Sequence, residues 1–230
     1  TTGLVDATGA ETIRGDVAEM VALAGDSVGG QDTDGVARAP TAVVDLVSGP
    51  SMLADSVLTI DGLYEGLVVV SAQTVSGAIG KLLEVSAADT LNHVDLLADV
   101  VLQVNVADSV RAEDLITLNG FTLGVVDART ATTIVGSLAE VQQVVVADSA
   151  SSVAIDVGRD TVSVVVTDTG SLSAESLNAL DAYFGSGTVF VSASTVAGSM
   201  AELTLASADS GAGGDLKLKP NVVMELDATG

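Results

Sequence analysis

The chain has 230 residues, of which 48% are apolar and 2% aromatic, and it contains no cysteine. Its formal net charge of −23 at pH 7 opposes binding to nucleic acid phosphates and anionic membrane surfaces, and the lack of cysteine excludes disulfides and thiolate metal sites. The apolar content predicts a folded chain with a core of Val, Leu, Ile and Ala. Since no apolar run reaches the roughly 18 residues of a membrane span, we expect no membrane insertion.

A short pattern, Thr-x-x-Gly before a helix start, occurs four times. Its glycines stand 62, 59 and 62 residues apart; they are Gly15, Gly77, Gly136 and Gly198. A second landmark, an aspartate followed by Ser or Thr, has nearly the same period; it occurs at Asp26, Asp89, Asp148 and Asp209. We therefore predict one repeat array over residues 1–230, with an incomplete last repeat. The approximate repeats are 3–62, 66–123, 124–186 and 187–230.

The first half of each repeat predicts a strand, the Thr-x-x-Gly turn and a helix. Residues Ser137–Glu140 and Ser199–Glu202 have the Ser-x-x-Glu form of a capping box, in which two side chains satisfy free backbone N–H groups at a helix start. Asp16–Glu19 is a variant of this pattern, and Ala78–Lys81 departs from it. We expect a weaker helix start in the second repeat.

The second half of each repeat predicts a strand rich in β-branched residues, a turn and a short helix. The strands fall near 43–44, 100–106 and 162–166, and the helices near 52–60, 112–118 and 174–180. Leu177 and Leu180 are three residues apart and should share the buried face of their helix. These helices should end at Asp61–Gly62, at Asn119–Gly120, and at Asp181–Ala182 with Gly185 beyond, because Asn and Gly tolerate the left-handed backbone that ends helices.

These elements predict an α/β solenoid of leucine-rich-repeat type. Its units are β-turn-α segments of about 30 residues, two in each repeat of about 60, with a buried parallel sheet. Residues 153–155 and 216–219 alternate as exposed strands do. An all-β parallel solenoid is the alternative fold, and the capping boxes favour the α/β one.

The repeat resembles the tandem units of very large secreted surface proteins of bacteria, of the kind found in marine cyanobacteria and proteobacteria. The residues that carry the resemblance are Thr133–Glu140 and Ser173–Asp181. The resemblance implies an adhesin, a surface-layer component or a fibre protein, and it supplies no catalytic residues. Gly80 and Lys81 depart from the pattern in the second repeat.

The sequence offers no catalytic constellation, and its one histidine, His93, is expected in a loop between a helix and a strand. Calcium is the one candidate ligand, because hard cations take carboxylate oxygens. Asp26, Asp32 and Asp34 are the candidate ligands, since Asp32 and Asp34 lie in the calcium-like segment Asp-Thr-Asp-Gly. The alternative is that the repeated aspartates form turns by bonding nearby backbone.

The two ends of the array indicate how the protein could associate with other molecules. Residues 4–9 and 226–230 are near copies of each other, and the sequence shows no capping repeat. We expect either head-to-tail self-association, which yields a filament when the contact does not close, or continuation of a longer chain. Lys217 and Lys219 beside Pro220 should blunt a sheet edge; the alternative role is a bridge to an acidic neighbouring subunit.

The function expected from these features is non-enzymatic. We expect an extracellular or cell-surface structural and interaction protein, a subunit or fragment of a surface layer, fibre or adhesin, that assembles by stacking of repeats. A phage or virion appendage or decoration protein is one alternative. A glycan-binding or protein-binding module is the other, although few aromatic rings are present to stack on sugars.

Overall fold

A computed structural model of the chain describes residues 5–7, 9–26, 36–38, 41–47, 49–106, 108–149, 154–159, 161–211 and 214–227. For residues 5–7, 25–26 and 36–38 it describes the backbone alone. These residues contain seven helices and 19 strands, and every strand pair in them for which a register is defined is parallel. The predicted α/β class with parallel strands is therefore confirmed.

The elements follow one order through the chain. The first two repeats contain β1 (Val5–Ala7), β2 (Thr12–Gly15), α1 (Val17–Asp26), β3 (Val36–Arg38), β4 (Val43–Leu46), β5 (Ser51–Leu53), α2 (Ala54–Leu63), β6 (Val68–Val70), β7 (Thr74–Gly77), α3 (Ile79–Thr90), β8 (Val94–Leu96), β9 (Val101–Val104), β10 (Ser109–Arg111) and α4 (Ala112–Asn119). The last two contain β11 (Val126–Asp127), β12 (Thr133–Gly136), α5 (Leu138–Ser149), β13 (Ile155–Asp156), β14 (Ser163–Val166), β15 (Ser171–Ser173), α6 (Ala174–Phe184), β16 (Val189–Val191), β17 (Thr195–Gly198), α7 (Met200–Asp209), β18 (Leu216–Leu218) and β19 (Val223–Leu226).

The chain divides into two compact units. The first comprises Thr1–Gln103 with Phe121–Val125, and the second Val104–Gly120 with Val126–Gly230. In the first unit the strand orders are β1-β3, β2-β4-β6-β8 and β5-β7-β9. In the second unit they are β11-β13, β10-β12-β14-β16-β18 and β15-β17-β19.

The Thr-x-x-Gly segment was predicted as a turn, but it is a strand that pairs with its neighbours. Among the described residues, each of the first three repeats contains five strands and the last contains four, rather than the predicted two. In the third repeat they are β11, β12, β13, β14 and β15, with α5 after the second and α6 after the fifth. Residues 216–218 of the predicted extra strands form β18, and Ile155 begins β13; Val153 lies outside the described residues. The expectation that these strands are exposed was wrong, since Leu216 and Ile155 are buried in parallel pairs with β16 and β11.

The core is made of thin layers of aliphatic side chains. Along β14 the residues alternate between partly exposed and buried, and Val164 and Val166 are fully buried. This is the period-two pattern of a strand covered on one face. Leu177 and Leu180 of α6 are buried on one helix face, as predicted. The helices α6 and α7 pack side by side, as do α4 and α5.

Close packing requires the glycine at the end of the Thr-x-x-Gly strand in the last three repeats. Since β10 pairs with β12 in the register Arg111↔Val135, the next residue of β10's chain, Ala112, lies opposite Gly136. A methyl group on Gly136 would lie 2.9 Å from the Cβ of Ala112, which is fully buried as the first residue of α4. Real Cβ contacts are longer than this, so a side chain at this position must displace its neighbours.

The same arrangement recurs in the neighbouring repeats. A methyl group on Gly77 would lie 3.0 Å from Ala54 Cβ, and one on Gly198 would lie 2.9 Å from Ala174 Cβ. Both alanines are the first residues of helices and fully buried. The repeated glycine therefore pairs with a repeated alanine, which the sequence pattern alone did not indicate.

The predicted capping boxes are confirmed. In α7 the Ser199 side chain accepts the N–H of Glu202, whose carboxylate accepts the N–H of Ser199. In α5 the Ser137 N–H donates to Glu140 Oε2 over 2.7 Å, and this bond holds the pKa of Glu140 below its usual range. Asp16–Glu19 makes the same reciprocal pair. Ala78 caps α3 without a side-chain bond, as predicted.

Of the three predicted helix ends, the one at Asn119–Gly120 is correct. Helix α6 continues through Asp181 and Ala182 to Phe184, where Gly185 follows with a left-handed φ of 58°, so the predicted stop at Asp181–Ala182 was wrong. Helix α2 continues through Asp61 and Gly62 to Leu63, so that prediction was wrong too. Helix α4 ends at Asn119, as predicted, although Gly120 is right-handed, with φ −73°. Neither of these two ends needs a left-handed residue, because the cap N–H groups bond to helix carbonyls in the ordinary right-handed or extended backbone.

Candidate functional site

The predicted calcium ligands lie mostly outside the described residues. Asp26 is the last residue of α1 and only its backbone is described, while Asp32 and Asp34 fall in the segment that the structure leaves out. Within the described part of the chain, no group of three or more His, Asp or Glu side chains is placed to hold a metal ion. Calcium binding by Asp26, Asp32 and Asp34 remains a prediction.

His93 lies in the exposed turn between α3 and β8, where it was expected. Its backbone carbonyl accepts the N–H of Val68 over 2.9 Å, which extends the pairing of β6 with β8. The backbone of His93 therefore contributes to the hydrogen bonding between β6 and β8.

The repeated aspartate connects a helix end to the following strand. Asp89 Oδ1 accepts the N–H of Leu96 over 2.8 Å, and Asp148 Oδ1 accepts that of Val157 over 3.3 Å. These partners stand seven and nine residues further along the chain. The alternative in which these residues form short-range turns is therefore wrong for these two. Asp89 ties α3 to β8, and Asp148 ties α5 to the residue that follows β13.

Asp148 is the centre of a buried polar cluster in the second unit. Its side chain is 4% exposed, and its Oδ2 accepts hydrogen bonds from the Tyr183 hydroxyl and from Arg159 Nε, the latter over 2.7 Å. The guanidinium of Arg159 lies 4.8 Å from the centre of the Tyr183 ring, a cation–π contact. Burial, followed by the bond to Asp148, raises the pKa of Tyr183. The carboxylate is thus fully paired, which is the condition for burying a charge.

A second cluster consists of the carboxylates of Asp181, Asp209 and Asp215. Burial, then the neighbouring carboxylates of Asp209 and Asp215, raise the pKa of Asp181 to about 7. Oδ1 of Asp181 is buried and has no hydrogen-bond partner among the described residues. This group of carboxylates can therefore hold a proton near neutral pH.

Arg159, Tyr183 and Asp181 were not singled out from the sequence. The signal for the first two was rarity, because the chain has only eight Lys and Arg and two Tyr. A rare long polar side chain in a repeat of small residues is a candidate partner for a buried carboxylate. Asp181 had no such signal, since it is one of 31 acidic residues.

A shallow groove between α4 and α5 has a volume of about 470 Å³. Its lining is apolar and amide-bearing: Asn119, Ala139, Gln142, Gln143, Val146, Ala147 and Ala154. No titratable side chain is part of this lining. The groove can accommodate an apolar group, and it contributes neither an acid nor a base.

An exposed apolar surface lies on α7 and β19; we call its residues Met200, Met224 and Leu226 the terminal face. They are 65%, 38% and 55% exposed. Each has a buried counterpart one repeat earlier: Leu138, the first residue of α5, and Val164 and Val166 of β14, at 8%, 0% and 0%. The registers establish this correspondence, because Val166 lies beside Gly136 as Leu226 lies beside Gly198.

The basic residues near the end of the described chain lie at a sheet edge, as predicted. β18 is the outer strand of β10-β12-β14-β16-β18 among the described residues. The amine of Lys217 donates to the carbonyl of Gly214, and the N–H of Lys219 donates to Val191 O over 3.1 Å. The alternative role, a bridge to an acidic subunit, stays a prediction.

Comparisons with protein-family models, curated proteins and solved structures give no match. In the described residues, no helix has the length and apolar character that crossing a membrane requires.

Proposed function

We propose that the chain is a non-enzymatic extracellular structural repeat protein, a component of a surface layer, fibre or adhesin, and that its coils stack as an α/β solenoid. One observation carries the proposal: strands of successive coils pair in parallel and in register, and the last of them exposes the same apolar positions that earlier repeats bury. Such a surface is what a repeat presents to the next repeat.

Three features of the coils suit stacking. The strand ladders satisfy backbone groups between coils. The Gly136–Ala112 contact and its equivalents bring neighbouring coils close. The aspartates fasten each helix to the following strand. Each contact joins a coil to its neighbour, so the structure can grow by addition of repeats without enlarging a central core.

The charge of the chain suits a surface location. With a net charge of −23, neighbouring molecules repel at low ionic strength and remain soluble. At higher salt this repulsion is screened, and apolar contacts are then sufficient for association. The lack of cysteine makes the fold independent of the redox state of its surroundings. The resemblance of Thr133–Glu140 and Ser173–Asp181 to tandem units of large bacterial surface proteins supports the same role.

Electron microscopy tests the proposal directly. Purified protein, and material from the native source labelled with an antibody against the chain, should show filaments, a lattice or extended fibres at the cell exterior. Labelling confined to the cell interior, or monodisperse short particles at all concentrations and salt levels, contradicts it. A hydrolytic or transfer activity abolished by one carboxylate substitution would also contradict the non-enzymatic role.

A further inference from the structure

The sheets of the second unit follow a rule that the repeat imposes. The five strands of the third repeat, β11 to β15, define strand positions one to five of every repeat. The strands β10, β12, β14, β16 and β18 then occupy positions five, two, four, one and three of successive repeats. One complete sheet therefore uses each position once, drawn from three neighbouring repeats.

Two sheets near the ends of the described chain are incomplete in a complementary way. β15, β17 and β19 occupy positions five, two and four, and β1 and β3 occupy positions one and three. Placed side by side, these strands reproduce the order of the complete sheet. Among the described residues, β19 pairs with β17 on one side and with no strand on the other, and β1 pairs only with β3.

The pairing inside the complete sheet gives the register. β14 pairs with β16 as Val164↔Val189, Val165↔Phe190 and Val166↔Val191. Backbone bonds secure this pair: the N–H of Val164 donates to Thr188 O, and that of Ser192 to Val166 O.

The strands β19 and β1 are the counterparts of β14 and β16. β19 lies beside β17 as β14 lies beside β12. β1 pairs with β3, starting Val5↔Val36, as β16 pairs with β18, starting Val189↔Leu216. Both β1 and β16 are followed by a Thr-x-x-Gly strand.

We propose that β19 binds the β1 edge of a second copy of this chain in parallel, so that three strands of one molecule and two of the next form a five-stranded sheet. The register places Met224, Glu225 and Leu226 opposite Val5, Asp6 and Ala7 of the second copy. The contact continues the strand interface already present between β14 and β16, and it specifies the surface used for the assembly in the proposed function, on which it rests.

Charge makes this contact depend on salt. Glu225 and Asp6 carry like charges at neighbouring positions, and each copy has a net charge of −23. The screening length falls from about 10 Å at 0.1 M salt to about 3 Å at 1 M. Association should therefore strengthen as salt increases, the opposite of an interface held by salt bridges.

Single-cysteine variants test the register, because the natural chain has no cysteine. Asp6→Cys and Glu225→Cys proteins are mixed at high salt and treated with a short bis-maleimide. The mixture should give severalfold more cross-linked dimer than either variant alone. The matched control replaces Asp6→Cys by Asp95→Cys, an exposed aspartate on β8, and should give only background.

Sedimentation of the unmodified protein separates the two levels of the proposal. Association that rises with salt, together with selective cross-linking of the Asp6→Cys and Glu225→Cys pair, supports the inference. Association without selective cross-linking of that pair overturns the β19–β1 contact and leaves the proposed assembly standing. A monomer at all concentrations and salt levels overturns both.

Discussion

The two landmarks of the repeat differ in how far their surroundings repeat. The glycine that precedes each helix meets the same neighbour in successive repeats: an added methyl group would touch the first alanine of a helix at 3.0 Å from Gly77, 2.9 Å from Gly136 and 2.9 Å from Gly198. This contact follows from the strand register, which is the same in these three repeats. In the first repeat, a methyl group on Gly15 would meet the side chains of Glu19 and Met20 instead.

The aspartate near the helix end has different partners in the three repeats where its side chain is described. Asp89 accepts one backbone N–H. Asp148 also binds Arg159 and Tyr183, whereas Asp209 faces the carboxylate of Asp181. Strand pairing thus gives the repeated glycine the same surroundings, whereas side chains that differ between repeats determine the hydrogen bonds and the charges at the helix end.

The largest effect is expected at Asp148. Asp148→Ala removes the acceptor for Arg159 and Tyr183 and should lower the free energy of unfolding by about 3 kcal/mol, since it removes two hydrogen bonds to a charged group, each worth about 1.5–3 kcal/mol. The counterpart Asp89→Ala should cost about 1 kcal/mol, the typical value of one hydrogen bond. Urea denaturation measures both. Equal losses at the two positions would mean that the extra partners of Asp148 add nothing.

The next effect concerns the repeated glycine. Gly136→Ala should destabilise the protein by about 2 kcal/mol, because overpacking a tight contact costs about 1–3 kcal/mol. The φ angle of Gly136 is not left-handed, so the cost is steric. Thermal unfolding measures it. Gly80→Ala is the control: its new methyl group meets open space inside α3 and should stabilise by about 0.5–1 kcal/mol. A neutral Gly136→Ala would remove the packing explanation.

Asp181 gives an effect of opposite sign. Its pKa of about 7 lies above the ordinary value of 3.8, so the folded state holds a proton that the unfolded state loses, and this contribution to stability is lost as pH rises from about 4 to 7. Asp181→Asn should remove this pH dependence and raise the Tm at pH 8 by about 2–4 °C, corresponding to about 1 kcal/mol.

Calorimetry from pH 5 to 8 checks this expectation by comparing Asp181→Asn with Asp99→Asn. The second substitution removes the same charge from an exposed position and should leave the pH dependence unchanged. If Asp181→Asn is less stable than the natural protein at pH 8, the two clusters do not differ as described.

The smallest effect is expected at Tyr183. Tyr183→Phe removes one hydrogen bond to Asp148 and retains the ring beneath Arg159, so it should cost about 1 kcal/mol or less. In the Asp148→Ala background the same substitution should cost much less, since the bond is already absent. A double-mutant cycle measures this coupling, and additive losses would show that the phenol does not act through Asp148.

Several features could be predicted from residues that lie close together in the sequence. The Ser-x-x-Glu spacing predicted the capping boxes, because a capping box is a local arrangement of four residues. The position of His93 between a helix and a strand followed from the repeat pattern in the same way. The predicted stop at Gly62 failed: Gly62 remains helical, and α2 ends one residue later, where the N–H of Tyr64 bonds to the Ile60 carbonyl in an extended backbone.

The partners of the repeated aspartate could not be predicted in this way. Val157 follows Asp148 by nine residues and Tyr183 by 35, and only the folded coils bring such distant residues together. The sequence likewise predicted calcium ligands at Asp26, Asp32 and Asp34 from spacing alone, where the described structure offers no test.

The repeat, the α/β class, the parallel strands and the capped helix starts depend on local pattern or period, so they could be predicted from the sequence. Only folding establishes what the period cannot express: the five strand positions of a complete repeat, the order in which they form a sheet, and the alanine that packs against Gly77, Gly136 and Gly198. These features depend on the register between strands of neighbouring repeats, which hydrogen bonding and close packing set only after the chain has folded.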